Sequence, residues 1–322
     1  MLAVGIGLFA WLIHETGAHA IWQDVRRLGL GVIPFFLVDA VADVFHTFAT
    51  GLAFRRDHRT VPFGTLYKIR LSGSAINYVT PTGNSGEVVK AALLGRFCPL
   101  TEATSAILVE KLSFTVAQLG LACLGSSVLL LWVPLAPWIA AMLCGGSLLV
   151  GAGLVGFFIF QRRGKIGAVI RSVCGFFAGE RGRRWVETRI SGLDESLMQY
   201  HAVHGRDFLA SIGLHLLGFC CGMLQAAWFL WLLDGRSHLY HGAAIWLLST
   251  WFDMASFLVP AGIGIHEVSR YFAFQLLGLP QASGVSFALL QRLEGLAYTA
   301  LGFVCYGWEV RRPAPVVRDA RE

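Results

Sequence analysis

The chain has 322 residues, of which 55% are apolar and 14% charged, against ~25% charged in soluble domains. That composition excludes a disordered chain, and seven cysteines, an odd number, do not make a disulfide framework. A mean hydropathy of +0.61 leaves too little polar surface to cover a soluble core, so the net charge of +6 reads first as membrane topology and not as a nucleic-acid footprint.

A hydrocarbon core of ~30 Å needs roughly 20 apolar residues in helical form. Residues 1–13 are apolar but short, and Ala18-His19-Ala20 imitates a signal-peptidase site. No positive residue precedes the apolar run, so a retained first span is expected over a signal peptide. Residues 30–54 form the next span and carry Asp39, Asp43 and His46 on one helical face. Residues 63–97 are hydrophobic but interrupted; 105–133 and 138–160 are uninterrupted spans. The basic loop 161–207 holds Phe176, Phe177, Trp185 and Ile190 among arginines, which suits either a surface amphipathic helix or a solvated loop. Residues 208–233 and 285–308 are spans flanking a second interrupted stretch, 242–279. Arg55, Arg56, Arg59, Arg96, the loop 161–207 and the tail 311–322 concentrate the basic residues on one side. The positive-inside rule makes that side cytoplasmic, with both termini there.

The two interrupted stretches repeat one motif. The first reads Pro81-Thr82-Gly83-Asn84-Ser85-Gly86-Glu87-Val88-Val89-Lys90 and the second Pro260-Ala261-Gly262-Ile263-Gly264-Ile265-His266-Glu267-Val268-Ser269-Arg270. Pro99 and Pro280 follow the respective glutamates by 12 and 13 residues, and Glu110-Lys111-Leu112 and Gln291-Arg292-Leu293 begin 23 and 24 residues on. The first stretch starts and ends on the cytoplasmic side and the second on the outer side. That is an inverted repeat of broken helices, whose sites lie near the bilayer midplane. The alternative makes 242–279 two full spans with the motif in a turn, but its second half is short and contains Arg270. The expected fold is all-α and polytopic, with about six full spans and two re-entrant hairpins. It is one transmembrane domain over 1–310, with repeat cores at 62–133 and 243–308 and a cytoplasmic tail.

Each Pro/Gly break opens a half-helix whose free N–H groups suit an anion such as a lipid phosphate. Glu87 and Glu267 are either helix caps or site residues. Lys90 and Arg270 lie one turn on, placed to pair with the glutamate or to hold a phosphate. Ionisable residues within spans are functional candidates because burying them unpaired is costly. The candidate headgroup set is therefore Asn77, Pro81, Gly86, Glu87, Lys90, Glu110, Lys111, Gly262, Gly264, Glu267, Arg270 and Arg292. Asp39, Asp43 and His46 are candidates for proton coupling, and Asp253 and Glu294 for packing pairs or site residues. The histidine pairs lack metal-ligand spacing, and no nucleophile or cofactor fingerprint is present, so neither metal, cofactor nor enzymatic activity is expected.

At these motifs the sequence resembles the transmembrane, flippase-like region of lysylphosphatidylglycerol synthases and their stand-alone relatives. The resemblance rests on Asn77…Pro81…Gly86-Glu87…Lys90, on Glu110-Lys111-Leu112, on Pro260-Ala261-Gly262-Ile263-Gly264-Ile265-His266-Glu267 and on Arg292-Leu293. Lys90 and Lys111 stand where that family has arginine, Phe114 where it often has an acid, and Asn84-Ser85 where an arginine often precedes Gly-Glu. The synthases carry an aminoacyl-transfer domain after this region, and the sequence ends at Glu322, so the resemblance implies the membrane activity alone. It implies a bacterial inner-membrane protein that moves a phospholipid or a hopanoid-type lipid. The competing reading is an accessory scaffold for lipid-synthesis enzymes. Membrane lipids and such enzymes are the expected partners, a homo-oligomer is compatible, and nucleic acid is not expected.

Overall fold

The computed structural model describes residues 18–54, 61–80, 85–132, 136–162, 195, 199–200, 203–236, 238–253 and 264–312. The expected span 1–13, the cluster Arg55, Arg56 and Arg59, Pro81, Gly262, most of the loop 161–207 and most of the tail lie outside the described residues.

Among the described residues every element is helical. Helix α1 (Ala18–Leu28) meets α2 (Val32–Leu52) through a single 3-10 turn at Gly29–Gly31. Gly29 has φ of +48°, a left-handed conformation that side chains resist. Helix α1 is amphipathic: Trp22, Arg26 and Arg27 are exposed, with the Arg26 guanidinium over the Trp22 ring. On its inner face the buried Asp24 accepts hydrogen bonds from the hydroxyls of Ser283 (2.9 Å) and Ser286 (3.3 Å). The helical run thus begins well before the expected start at residue 30, because a polar inner face met a polar partner.

The first interrupted stretch is two helices, α3 (Phe63–Val79) and α4 (Ser85–Leu94), followed by the long α5 (Leu100–Trp132). Helix α6 (Pro137–Arg162) returns beside α5. Helix α7 (Gly205–Asp234) packs along α2. The second interrupted stretch is α8 (Leu239–Asp253) and α9 (Ile265–Leu276), followed by the long α10 (Gln281–Arg311), which lies along α3. The order is the same twice: a medium helix, a break, a short helix packed on it, and a long helix packed on the short one. At 1.5 Å per residue, α4 and α9, of 10 and 12 residues, are each under ~20 Å long. Neither crosses a hydrocarbon core of ~30 Å.

Four helical runs are long and apolar enough to do so: Trp22–Leu52, Leu100–Leu131, Pro137–Gly156 and Gly205–Asp234. The expected span 285–308 became α10, which is long enough but carries Arg292 and Glu294 at its middle and therefore falls outside that set. Leu124, Leu131, Leu148, Leu149, Leu209 and Trp308 are exposed on the outer faces of these helices, as a surface solvated by lipid requires.

One core surrounds α4, built from Phe54, Ile69, Leu94, Val109 and Leu112. A second surrounds α9, built from Phe35, Phe229, Ile245, Phe274 and Phe287. Helix α4 is held against α3 at glycines: a Cβ at Gly86 would overlap the Gly73 carbonyl. Backbone cannot yield as a flexible side chain does, so Gly86→Ala is expected to cost about 1–3 kcal/mol. Gly64→Ala, in the same pair of helices with open space at its Cβ, is the matched control. Thermal unfolding in detergent should show a lower midpoint for the first variant and none for the second.

Candidate functional site

The first motif lies in a network of six charged side chains from four helices. Arg70 of α3 donates to Asp43 of α2 (Nε–Oδ1 3.0 Å) and to Glu110 of α5 (Nη1–Oε1 3.3 Å). Lys90 of α4 pairs with Glu87 at 2.5 Å and with Glu110 at 3.5 Å. Lys111 reaches Glu87 at 3.8 Å. Asn77, near the end of α3, caps α4 across the break: its Oδ1 accepts the Gly86 N–H at 2.6 Å and its Nδ2 donates to Glu87 at 3.2 Å. Three cations and three anions thus neutralise one another, the condition under which buried charge is tolerated.

The second motif uses the same chemistry with different partners. Glu267, with no exposed surface, accepts the Gly264 N–H at 2.8 Å and the Arg292 Nε at 2.6 Å. It is cap and ion-pair partner at once. Arg270 donates to Gln291 (2.9 Å), to Ser269 and to Asp253. His266 Nδ1 lies 2.9 Å from the other oxygen of Asp253. The i,i+3 pair expected at both motifs forms only at Glu87–Lys90; Arg270 is drawn away by Asp253, which has no counterpart in the first segment.

Between the motifs and the triplets that follow them, the contacts repeat pair for pair. The basic residue of each motif reaches the first residue of its triplet, Lys90 to Glu110 and Arg270 to Gln291. The glutamate of each motif reaches the second, Glu87 to Lys111 and Glu267 to Arg292.

A cavity of about 650 Å³ lies against the second segment. Arg270, Arg292, Asp253 and His266 line it, as do Asp39 of α2, Glu294 and Tyr298 of α10 and Tyr78 of α3. Gln118, Gln225, Phe219, Ile245 and Trp246 are among the residues that give its walls both polar and apolar surface. Both oxygens of Glu294 accept from Gln225 Nε2, at 2.8 and 2.9 Å, but no cation pairs with it among the described residues. Asp39 has neither a hydrogen bond nor an ion pair among them. Of the expected headgroup set, Arg270 and Arg292 line the cavity. Asn77, Gly86, Glu87, Lys90, Glu110 and Lys111 form the adjoining network, and Gly264 and Glu267 stand behind Arg292.

The expected proton-coupling stripe is divided. Asp39 faces the cavity and Asp43 is paired with Arg70. His46 Nδ1 lies 2.7 Å from His215 Nδ1 of α7, both rings buried against Phe114, with Phe219 also against His46. Arg70, His215 and Gln225 are absent from the sequence-derived set, although each is a polar residue within an apolar stretch, the signal that found Asp39.

The family described as the lysylphosphatidylglycerol synthase TM region matches residues 1–302. The chain belongs to this family. It is a multi-pass membrane protein of lipid metabolism, as the family and the apolar helices together indicate. The match runs through both motifs, the cavity and the network beside it. No curated protein and no solved structure matches the chain.

Proposed function

We propose that the protein is a flippase-like lipid transporter of the bacterial inner membrane, with both termini cytoplasmic, and that it is not an enzyme. The observation that carries this reading is the cavity, where Arg270 and Arg292 meet Asp39 and Glu294. Guanidinium groups recognise phosphate oxygens, and a carboxylate without a cation partner suits an ammonium group. A headgroup bearing both signs of charge, such as that of an amine-containing phospholipid, satisfies the whole lining better than an uncharged hopanoid does. The acyl chains would remain in the bilayer, against the exposed leucines. The pairwise repetition of contacts supports an inverted repeat, with α3–α4 and α8–α9 entering from opposite faces and raising the count to about six spans and two hairpins.

Reconstitution in vesicles of phosphatidylethanolamine and phosphatidylglycerol tests the reading. Dithionite quenching of an acyl-labelled phosphatidylethanolamine should run past the outer leaflet only in vesicles that contain protein. Asp39→Asn removes a carboxyl group with no structural partner, so it should slow that phase roughly tenfold, the equivalent of one charge-assisted hydrogen bond, without lowering the melting temperature. Equal quenching in protein-containing and protein-free vesicles would overturn the proposal.

A further inference from the structure

We infer that His266 is a proton-binding site whose protonation is coupled to the binding of a phosphate group in the cavity; this rests on the headgroup reading above. Asp253 and Arg270 fix the imidazole. A carboxylate only accepts hydrogen bonds, so the shorter contact, Asp253 at 2.9 Å from Nδ1, places the proton on Nδ1, and the 3.3 Å approach of Arg270 Nη1 to the same nitrogen is then a charge contact and not a hydrogen bond. In the neutral ring Nε2 is then an acceptor, and it has no hydrogen-bond partner among the described residues. His266 lines the cavity and its side chain keeps 38% of its exposure. Among common side chains, histidine is the one whose charge changes between roughly pH 5 and 8.

The charges around the ring make its proton responsive to a ligand. Asp253 of α8 sets a negative charge against the ring at Nδ1. Arg270 of α9 sets a positive one there, with Nη1 3.3 Å from His266 Nδ1. Arg292 and Glu294 of α10 and Asp39 of α2 line the same cavity, with Tyr78 and Tyr298 completing the titratable set. Residues 254–263, which join α8 to this site, carry no ionisable side chain. His266 also stands in the first turn of α9, where the helix dipole repels a cation and attracts an anion. A phosphate arriving at Arg270 offsets the repulsion from the guanidinium and from the dipole, and offers Nε2–H an acceptor. Binding therefore draws a proton onto Nε2, and the protonated ring contributes a third cationic donor beside Arg270 and Arg292. A proton gradient acting on this group would bias where the headgroup is held and where it is released. The histidine of the expected coupling stripe, His46, lacks this access, because its Nδ1 is committed to a buried partner.

The test is calorimetric titration of the full chain in nanodiscs with dihexanoyl-phosphatidylethanolamine and, separately, with glycerophosphoethanolamine. Their phosphodiesters keep one charge throughout the window. Affinity should weaken about tenfold from pH 5.5 to pH 8. Near pH 7, heats in two buffers of different ionisation enthalpy should show net proton uptake on binding. His266→Gln should bind with the weak, high-pH affinity at every pH and take up no proton. A response to the lipid alone assigns the site to a headgroup anchored by acyl chains, and a response to both assigns it to the phosphate group from either source. Two outcomes overturn the inference: wild-type protein binding without proton uptake, or His266→Gln retaining the full pH response. Asp39→Asn separates these from failure of the headgroup reading, which would show as affinity unchanged in that variant at every pH, or as no wild-type binding.

Discussion

Replacing Arg70 by methionine is expected to be among the most destabilising single changes in the chain, at about 3–5 kcal/mol, the range for removing one partner of a buried charge pair. The Arg70 side chain is 12% exposed and joins α2 to α5 through α3, with Asp43 on one nitrogen and Glu110 on another. Without it Asp43 keeps no ion-pair partner among the described residues, while Glu110 retains Lys90. The loss is therefore expected to centre on Asp43, and Arg70→Met/Asp43→Asn should recover most of it, because a neutral amide does not need a counter-charge. Unfolding in detergent, read as a double-mutant cycle over these variants, measures the coupling directly. A double variant no more stable than the single one would place the role of Arg70 elsewhere, in Glu110 or in packing.

The helical class, the breaks and the membrane character were legible because they follow from apolar run length and from Pro/Gly clusters, both local properties of the chain. The doubled motif was legible too, and the repeated contacts Glu87–Lys111 and Glu267–Arg292 show why its spacing is constant: each glutamate must reach the base on the following long helix. What the sequence did not disclose is which motif faces the cavity. Both segments carry a glutamate, a base one turn on and a polar triplet. The difference arises from residues remote in sequence: Asp43 and Arg70 close a neutral network around the first, whereas Asp253 diverts Arg270 and leaves it lining the cavity. Helical periodicity placed Asp39, Asp43 and His46 on one face, and they do share α2. That one face meets three environments along its length, and periodicity reports direction around a helix, not what stands opposite. His215 and Gln225 lie in a span that reads as continuous apolar filler, and their roles depend on partners 169 and 69 residues away.

The same asymmetry sets the expected result for the two glutamates. Glu267→Ala leaves the Gly264 N–H without its acceptor and removes the carboxylate that the Arg292 Nε reaches at 2.6 Å, at a position where the Glu267 side chain itself is shut off from water. The expected cost is about 3–5 kcal/mol. Glu267→Gln keeps one carbonyl oxygen but must turn an amide N–H towards one of two donors, so it should recover part of the loss and not all of it. Glu87 occupies the corresponding place, yet its side chain is 18% exposed and its partner Lys90 also has Glu110. Glu87→Gln is therefore expected to cost only about 1 kcal/mol, as for an exposed or doubly supported pair. Unfolding midpoints of the two glutamine variants in one detergent decide the matter. Because Arg292 is aimed by Glu267, headgroup affinity should fall with Glu267→Gln and hold with Glu87→Gln. Equal losses of stability and of affinity would mean that the two segments are energetically equivalent, and would remove the reason for placing the headgroup against the second.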